Sequence, residues 1–120
     1  MEKRNFRREG ADGEELAARY LRERGYTIVE QNFRFSRMGE IDIIARDGEY
    51  LVFCEVKTRK NEEYGPPEYA VTSQKQNTIR RIAGAYLYLR GITGQACRFD
   101  GVTIRFEGET PRLTLIQNAF

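Results

Sequence analysis

The sequence predicts an α/β fold, a mixed central sheet flanked by helices, with elements in the order α-β-β-β-α-β-β. Three observations carry this. Two stretches, one over 12–24 and one starting at 72 or 73, repeat apolar residues at helical spacing. Five stretches rich in β-branched and aromatic residues surround the second of them. A helix between the third and fourth strands supplies a crossover, which makes the sheet mixed. At 120 residues the chain suits one domain, and residues 1–11 are expected to be flexible.

Taken in order, the first helix is capped by Asp12, ended by Gly25, and striped by Leu16, Ala17, Tyr20 and Leu21. Tyr26–Phe35 reads as the first strand. Glu40–Arg46 and Glu49–Arg59 read as the next two, joined by Asp47-Gly48, a strong hairpin signal between apolar alternations. Residues 60–72 hold two prolines and a glycine and read as a loop. The second helix, capped by Thr72 or Ser73, sets Ile79, Ile82, Ala83, Tyr86 and Leu87 on one face. Ala96–Phe106 and Arg112–Ile116 close the sheet around a turn at 107–111.

Composition excludes more than it proposes. There is no histidine, which removes Ser-His-Asp and Cys-His hydrolases, zincins and histidine-metal nucleases. Chemistry must then fall to carboxylates, lysine, hydroxyls or thiols. Cys54 and Cys97 lack metal-ligand spacing, and Cys54 lies in an apolar run, so both read as plain thiols. The charged start of the chain contains no apolar signal segment, and no stretch is long and apolar enough for a membrane span, so a cytoplasmic protein without a membrane partner is expected. Net charge is only +2. Its distribution is uneven: between residues 38 and 55, Glu40, Asp42, Asp47, Glu49 and Glu55 face a single Arg46, whereas 73–91 hold Lys75, Arg80, Arg81 and Arg90 with no acid. An acidic knot between basic segments suits a metal enzyme acting on phosphates.

The hairpin gives this knot a geometry. With Asp47 and Gly48 as the loop, opposed residues sum to 95, so Asp42 faces Phe53 and Glu40 faces Glu55. Glu55 is then the diagonal neighbour of Asp42, and Lys57 shares their face. Two carboxylates so placed can lean toward one hard cation of the Mg²⁺ type. A solvated strand face with ordinary Glu–Lys pairs is the plainer alternative. Against it, the charged positions alternate with Val52, Cys54 and Val56 and share a face with Phe53.

Helical spacing adds two residues. At 100° per residue from Leu16, Glu14 falls at about 160°, on the edge of the apolar stripe, while Glu15 turns away. Glu14 can thus point inward, or simply complement the helix dipole. On the second helix Lys75 falls between Ile82 and Tyr86, where it is either a snorkelling lysine or an active-site or phosphate contact.

These residues also carry a resemblance. Gly13-Glu14, Ala17, Tyr20-Leu21, Gly25-Tyr26, Asn32-Phe33-Arg34, Gly39-Glu40-Ile41-Asp42, Phe53-Cys54-Glu55-Val56-Lys57-Thr58-Arg59, Ala70-Val71, Lys75, Arg98-Phe99-Asp100 and Asn118-Ala119-Phe120 resemble the bacterial YraN-like family from about residue 10 onward. That family is similar to Holliday-junction-resolvase-type nucleases of the restriction-endonuclease-like D…(D/E)xK superfamily. Cys54 stands where the family usually has Val, and Gln117 where His is common; neither touches the charged set. The resemblance implies a restriction-endonuclease-like sheet and a Mg²⁺- or Mn²⁺-dependent endodeoxyribonuclease. Asp42, Glu55 and Lys57 would be its catalytic residues, and Glu14 would complete the metal site.

The mechanism this suggests places the metal on Asp42, Glu55, Glu14 and the Val56 carbonyl, with Glu40 and Lys75 as auxiliary groups. Lys57 would orient water or offset charge. Arg34, Arg37, Arg59, Lys60, Lys75 and Arg80 are candidate phosphate contacts for branched or otherwise structured DNA, and the loop at 61–72 is a candidate flap. A DNA-binding domain that keeps the fold without catalysis, an unrelated α/β interaction module, and a homodimer all stay open.

Overall fold

The computed structural model describes residues 10–59 and 71–120, with side chains from Gly13 onward. Helix α1 spans Gly10–Glu23. Three strands follow, β1 (Thr27–Phe35), β2 (Gly39–Asp47) and β3 (Tyr50–Arg59). Helix α2 (Ser73–Leu89) precedes β4 (Cys97–Glu107) and β5 (Thr110–Ile116). All five strands form one sheet in sequence order. β1, β2 and β3 run antiparallel, β4 lies parallel to β3 after the α2 crossover, and β5 returns antiparallel. This is the predicted element order, and the architecture is compatible with a restriction-endonuclease-like fold.

Each helix covers one face. Ala17, Ala18 and Leu21 of α1 bury against Ile43, Ala45, Val52, Cys54, Val102 and Ile104. Ile79, Ile82, Ala83 and Tyr86 of α2 bury against Phe33, Ile41, Ile44, Leu51 and Phe53. The buried stripe of α1 is therefore centred further round the helix than Leu16 and Tyr20, which are only partly buried. That rotation brings Glu14 from the edge of the stripe to its middle. Gly13 lets the helix approach this closely: a Cβ there would stand 3.2 Å from Thr58 Oγ1.

Element boundaries differ from expectation by one or two residues, β5 for instance starting at Thr110 and not Arg112, and two of these differences bear on the site. α1 starts two residues before Asp12, which thus lies within the helix rather than at its cap. In the β2–β3 hairpin Asp47 pairs with Tyr50, so Gly48 and Glu49 form the loop and opposed residues sum to 97. The reason is local: the first loop position takes a positive φ, and Gly48 supplies it at 61°. Asp47 stays in the ladder, where its carboxylate accepts from Arg98 Nη2 at 2.7 Å. At the other predicted cap, Thr72 Oγ1 accepts from Lys75 N at 3.1 Å and starts α2. Cys54 is a buried free thiol and Cys97 a partly buried one.

Candidate metal centre

A regular strand turns alternate residues to opposite faces, and β2 obeys this only in part. Ile41 buries on the α2 side, yet Ile43 buries on the α1 side and Ile44 on the α2 side again. The alternation breaks at Asp42. The ladder to β3 ends there too, its last pair being Ile43 with Cys54. Past that point the Asp42 side chain takes over from the backbone: its Oδ2 accepts from Val56 N at 2.8 Å. Asp42 thus sits at a step between the two faces of the sheet.

The step lets carboxylates from both faces meet. Glu14 arrives from α1 and Glu40 from the start of β2; with Asp42 they place one oxygen each within 4.8 Å of one another. Glu55 reaches the same aspartate from the α2 side. Its side chain is 13% exposed, and Lys75 Nζ from the first turn of α2 lies 3.3 Å from Glu55 Oε2. The four acids therefore converge through the step, and not by sharing one strand face. The register places Asp42 level with Glu55 and leaves Phe53 opposite Ile44.

Electrostatics register the crowding. Burial pushes the Glu14 carboxyl up to about 7, and the neighbouring Asp42 charge adds to the rise. Burial pushes Glu55 up to about 8, again with Asp42 adding to it, while Lys75 pulls it back. Packed carboxylates hold protons this strongly when water is removed and like charges approach. A hydrogen bond to Asp42 and the Glu40 charge push Glu14 the same way, whereas a hydrogen bond with the Asn32 side chain favours its ionised form. Sequence reasoning placed Asn32 in a motif without a role. The available signal was an asparagine within a run of strand formers, since asparagine is depleted in strands and enriched in left-handed backbone.

Other predicted residues scatter around this centre. Lys57 follows Glu55 on the same face of β3, level with Thr103 of β4, and is exposed. Arg34 is exposed opposite Glu40, and Arg37 is exposed in the turn before β2. Arg59 ends β3 abreast of Arg105, which in turn pairs with Arg112. Arg80 stacks its guanidinium over the Phe99 and Phe120 rings, at 5.0 and 5.4 Å. Lys60 and nearly all of the expected flap lie outside the described residues.

The motifs at 98–100 and 118–120 serve another purpose. Arg98 holds the fully buried Asp100 with two hydrogen bonds of 2.9 Å, and Tyr26 donates its O–H to Asp100 at 2.8 Å. Asn118 N also donates to Asp100, at 3.0 Å, and Ala119 N to the Phe99 carbonyl at 2.7 Å. These residues tie 117–120 onto β4.

The chemistry of the donor set fits a divalent cation. All donors are carboxylate oxygens, the ligands of Mg²⁺ and Mn²⁺, with neither thiolate nor imidazole among them. Crowded acids that hold protons near neutrality are also groups that a dication can neutralise. Fold and site together define a mixed α/β protein with a carboxylate cluster able to bind a metal at the broken edge of its β2–β3 ladder.

The chain belongs to the uncharacterised protein family UPF0102, whose model matches residues 13–104, in keeping with the YraN-like motifs. It is 49% identical over 111 residues to a UPF0102 protein of Geobacter metallireducens, covering 92% of this chain and 90% of that one. It is 50% identical over 116 residues to one from Symbiobacterium thermophilum, covering 95% and 97%. Among the described residues no helix is long and apolar enough to cross a membrane.

Proposed function

We propose that this protein is a divalent-metal-dependent endonuclease that hydrolyses phosphodiester bonds in DNA, selecting branched or junction-like structure. The reading places it beside Holliday-junction-resolvase-type nucleases of the restriction-endonuclease-like superfamily. The observation that carries it is the convergence of Glu14, Glu40 and Asp42 on one point, with Glu55 joined to Asp42 from the other face. The mixed sheet supports it, as does Lys57 two residues beyond Glu55.

Asp42, Glu55 and Glu14 would hold Mg²⁺ or Mn²⁺, with Glu40 and the Val56 carbonyl as further oxygen ligands. A bound dication polarises a phosphoryl oxygen and lowers the pKa of water. The chain supplies the rest. The Val56 N–H fixes the Asp42 carboxylate. Lys57, with three donors and no acceptor, orients the attacking water and offsets charge developing on the phosphate. Arg34, Arg37, Arg59, Lys60, Lys75 and Arg80 hold flanking phosphates, which makes binding fall with salt. Both described helices pack on the sheet, so substrate choice follows shape rather than base sequence. The same reading admits a homodimer, which the mass in solution decides.

The test is a panel of branched, flapped, nicked and linear DNAs with Mg²⁺ or Mn²⁺, comparing wild type with Asp42→Asn and Lys57→Ala. Wild type should cleave structured DNA, Asp42→Asn should not, and Lys57→Ala should lose turnover while retaining DNA affinity. Wild-type binding without cleavage of any substrate would replace the nuclease with a DNA-binding domain.

A further inference from the structure

Three non-glycine residues among those described have a positive φ: Asn32, Ser36 and Asn118. Only Asn32 lies inside a strand, at a φ of 55°. That region is disfavoured for L-residues by Cβ contact with the following carbonyl, and asparagine tolerates it best after glycine. The ladder continues on either side of it: Gln31 pairs with Ile43 and Phe33 with Ile41. Asn32 therefore stands across from Asp42, where β2 steps between faces. β1 makes the same step, since Glu30 pairs with Ile44 and Phe33 with Ile41, and both of those isoleucines bury on the α2 side. The two strands change phase together, and the left-handed residue is at the change. Its side chain meets Glu14, a neutral amide among crowded acids.

We propose that Asn32 is a positioning residue of the centre: its backbone makes the step that lets Asp42 face α1, and its carboxamide N–H holds Glu14 against that aspartate. The inference rests on reading the carboxylates as a divalent-cation site. Two separable roles follow. Glycine adopts the left-handed backbone without strain but lacks the amide; alanine lacks the amide and resists the backbone. An amide that orients a ligand acts from outside the ligand set, and loss of such a partner weakens metal binding by about tenfold or more.

The experiment titrates Mn²⁺ alone into the full chain by calorimetry, for wild type, Asn32→Gly, Asn32→Ala, Glu14→Gln and the Asn32→Gly/Glu14→Gln pair. Asn32→Gly should keep the wild-type melting temperature and bind Mn²⁺ about tenfold more weakly. Asn32→Ala should lose both affinity and melting temperature. In the Glu14→Gln background Asn32→Gly should add nothing. Wild-type affinity in Asn32→Gly, or additive losses in the double variant, would overturn the role of the amide. An unchanged melting temperature in Asn32→Ala would overturn the role of the backbone. NMR of the metal-free protein separates this inference from the metal reading: the Asn32 side-chain amide signals should shift in Glu14→Gln. No Mn²⁺ binding by wild type defeats the metal reading, whereas unmoved amide signals defeat the Asn32 contact alone.

Discussion

Asp42 borders every other acid of the centre, and its charge raises both Glu14 and Glu55. Both carboxyls have folded pKa values above the ordinary 4.5, near 7 and 8. The folded state therefore binds more protons than the unfolded state between those limits. Their contribution to stability is complete below about pH 4.5 and declines as pH rises through 7 to 8. The metal-free protein should lose melting temperature over that window. Saturating Mg²⁺ should flatten the decline, because a dication replaces the protons; a metal-free profile flat from pH 5 to about pH 9 would contradict the coupling. Asp42→Asn supplies the companion test. It keeps an acceptor oxygen for the Val56 N–H but removes the charge between the two glutamates. We expect a shallower pH slope, no loss of melting temperature at pH 8, and no Mn²⁺ binding in calorimetry.

At the scale of elements, α2 carries a cation where a helix disfavours one. Its first turn holds no acid, and Lys75 there opposes the helix dipole at a cost of about 0.3–1 kcal/mol. The compensation is Glu55, 3.3 Å away. Lys75→Ala should then cost nothing at pH 6, where Glu55 is largely protonated. At pH 9, where Glu55 ionises beside Asp42, it should lower the denaturation midpoint; equal effects at both pH values would refute the pairing. Elements of this kind were legible in the sequence. Periodicity located both helices, and Asp47-Gly48 located the hairpin, though the positive φ demanded by the loop moved the loop by one position and the cross-strand pairing by two residues. Same-face reasoning did gather Asp42 and Glu55, but for an incomplete reason. Strict alternation would leave Glu14 and Glu55 on opposite sides of the sheet, since α1 packs against Cys54 and α2 against Phe53. They meet because two strands change phase at Asn32 and Asp42. A period-two reading assumes that no such change occurs, so only the odd placement of an asparagine could have announced it.

Across the whole molecule, the α1 face divides its charged residues between two tasks. At the step, Glu14, Glu40 and Asp42 converge, and Lys75 pairs with Glu55 from the α2 side. Further along the same face, Asp100 is buried beneath Arg98, which also bonds Asp47 at 2.7 Å and the Tyr26 hydroxyl at 2.9 Å. Burial raises the Tyr26 hydroxyl to about 12, so it stays protonated and donates to Asp100 throughout the physiological range. This second group is satisfied internally and joins the β2–β3 hairpin, β4 and residue 117, whose amide donates to Tyr26 at 3.0 Å. Its role is stability, and the two groups should respond to mutation in opposite ways. Arg98→Met strands a fully buried carboxylate and should cost about 3 kcal/mol or more. Tyr26→Phe keeps the ring and the ion pair and should cost about 1 kcal/mol. Both variants, assayed by urea denaturation and then by Mn²⁺ calorimetry at a temperature where they remain folded, should bind the ion as wild type does. Asp42→Asn should do the reverse, keeping its stability and losing the ion. A loss of Mn²⁺ affinity in Tyr26→Phe as large as that in Asp42→Asn would show that the buried network and the carboxylate cluster form one unit, and the division of labour along the α1 face would fall.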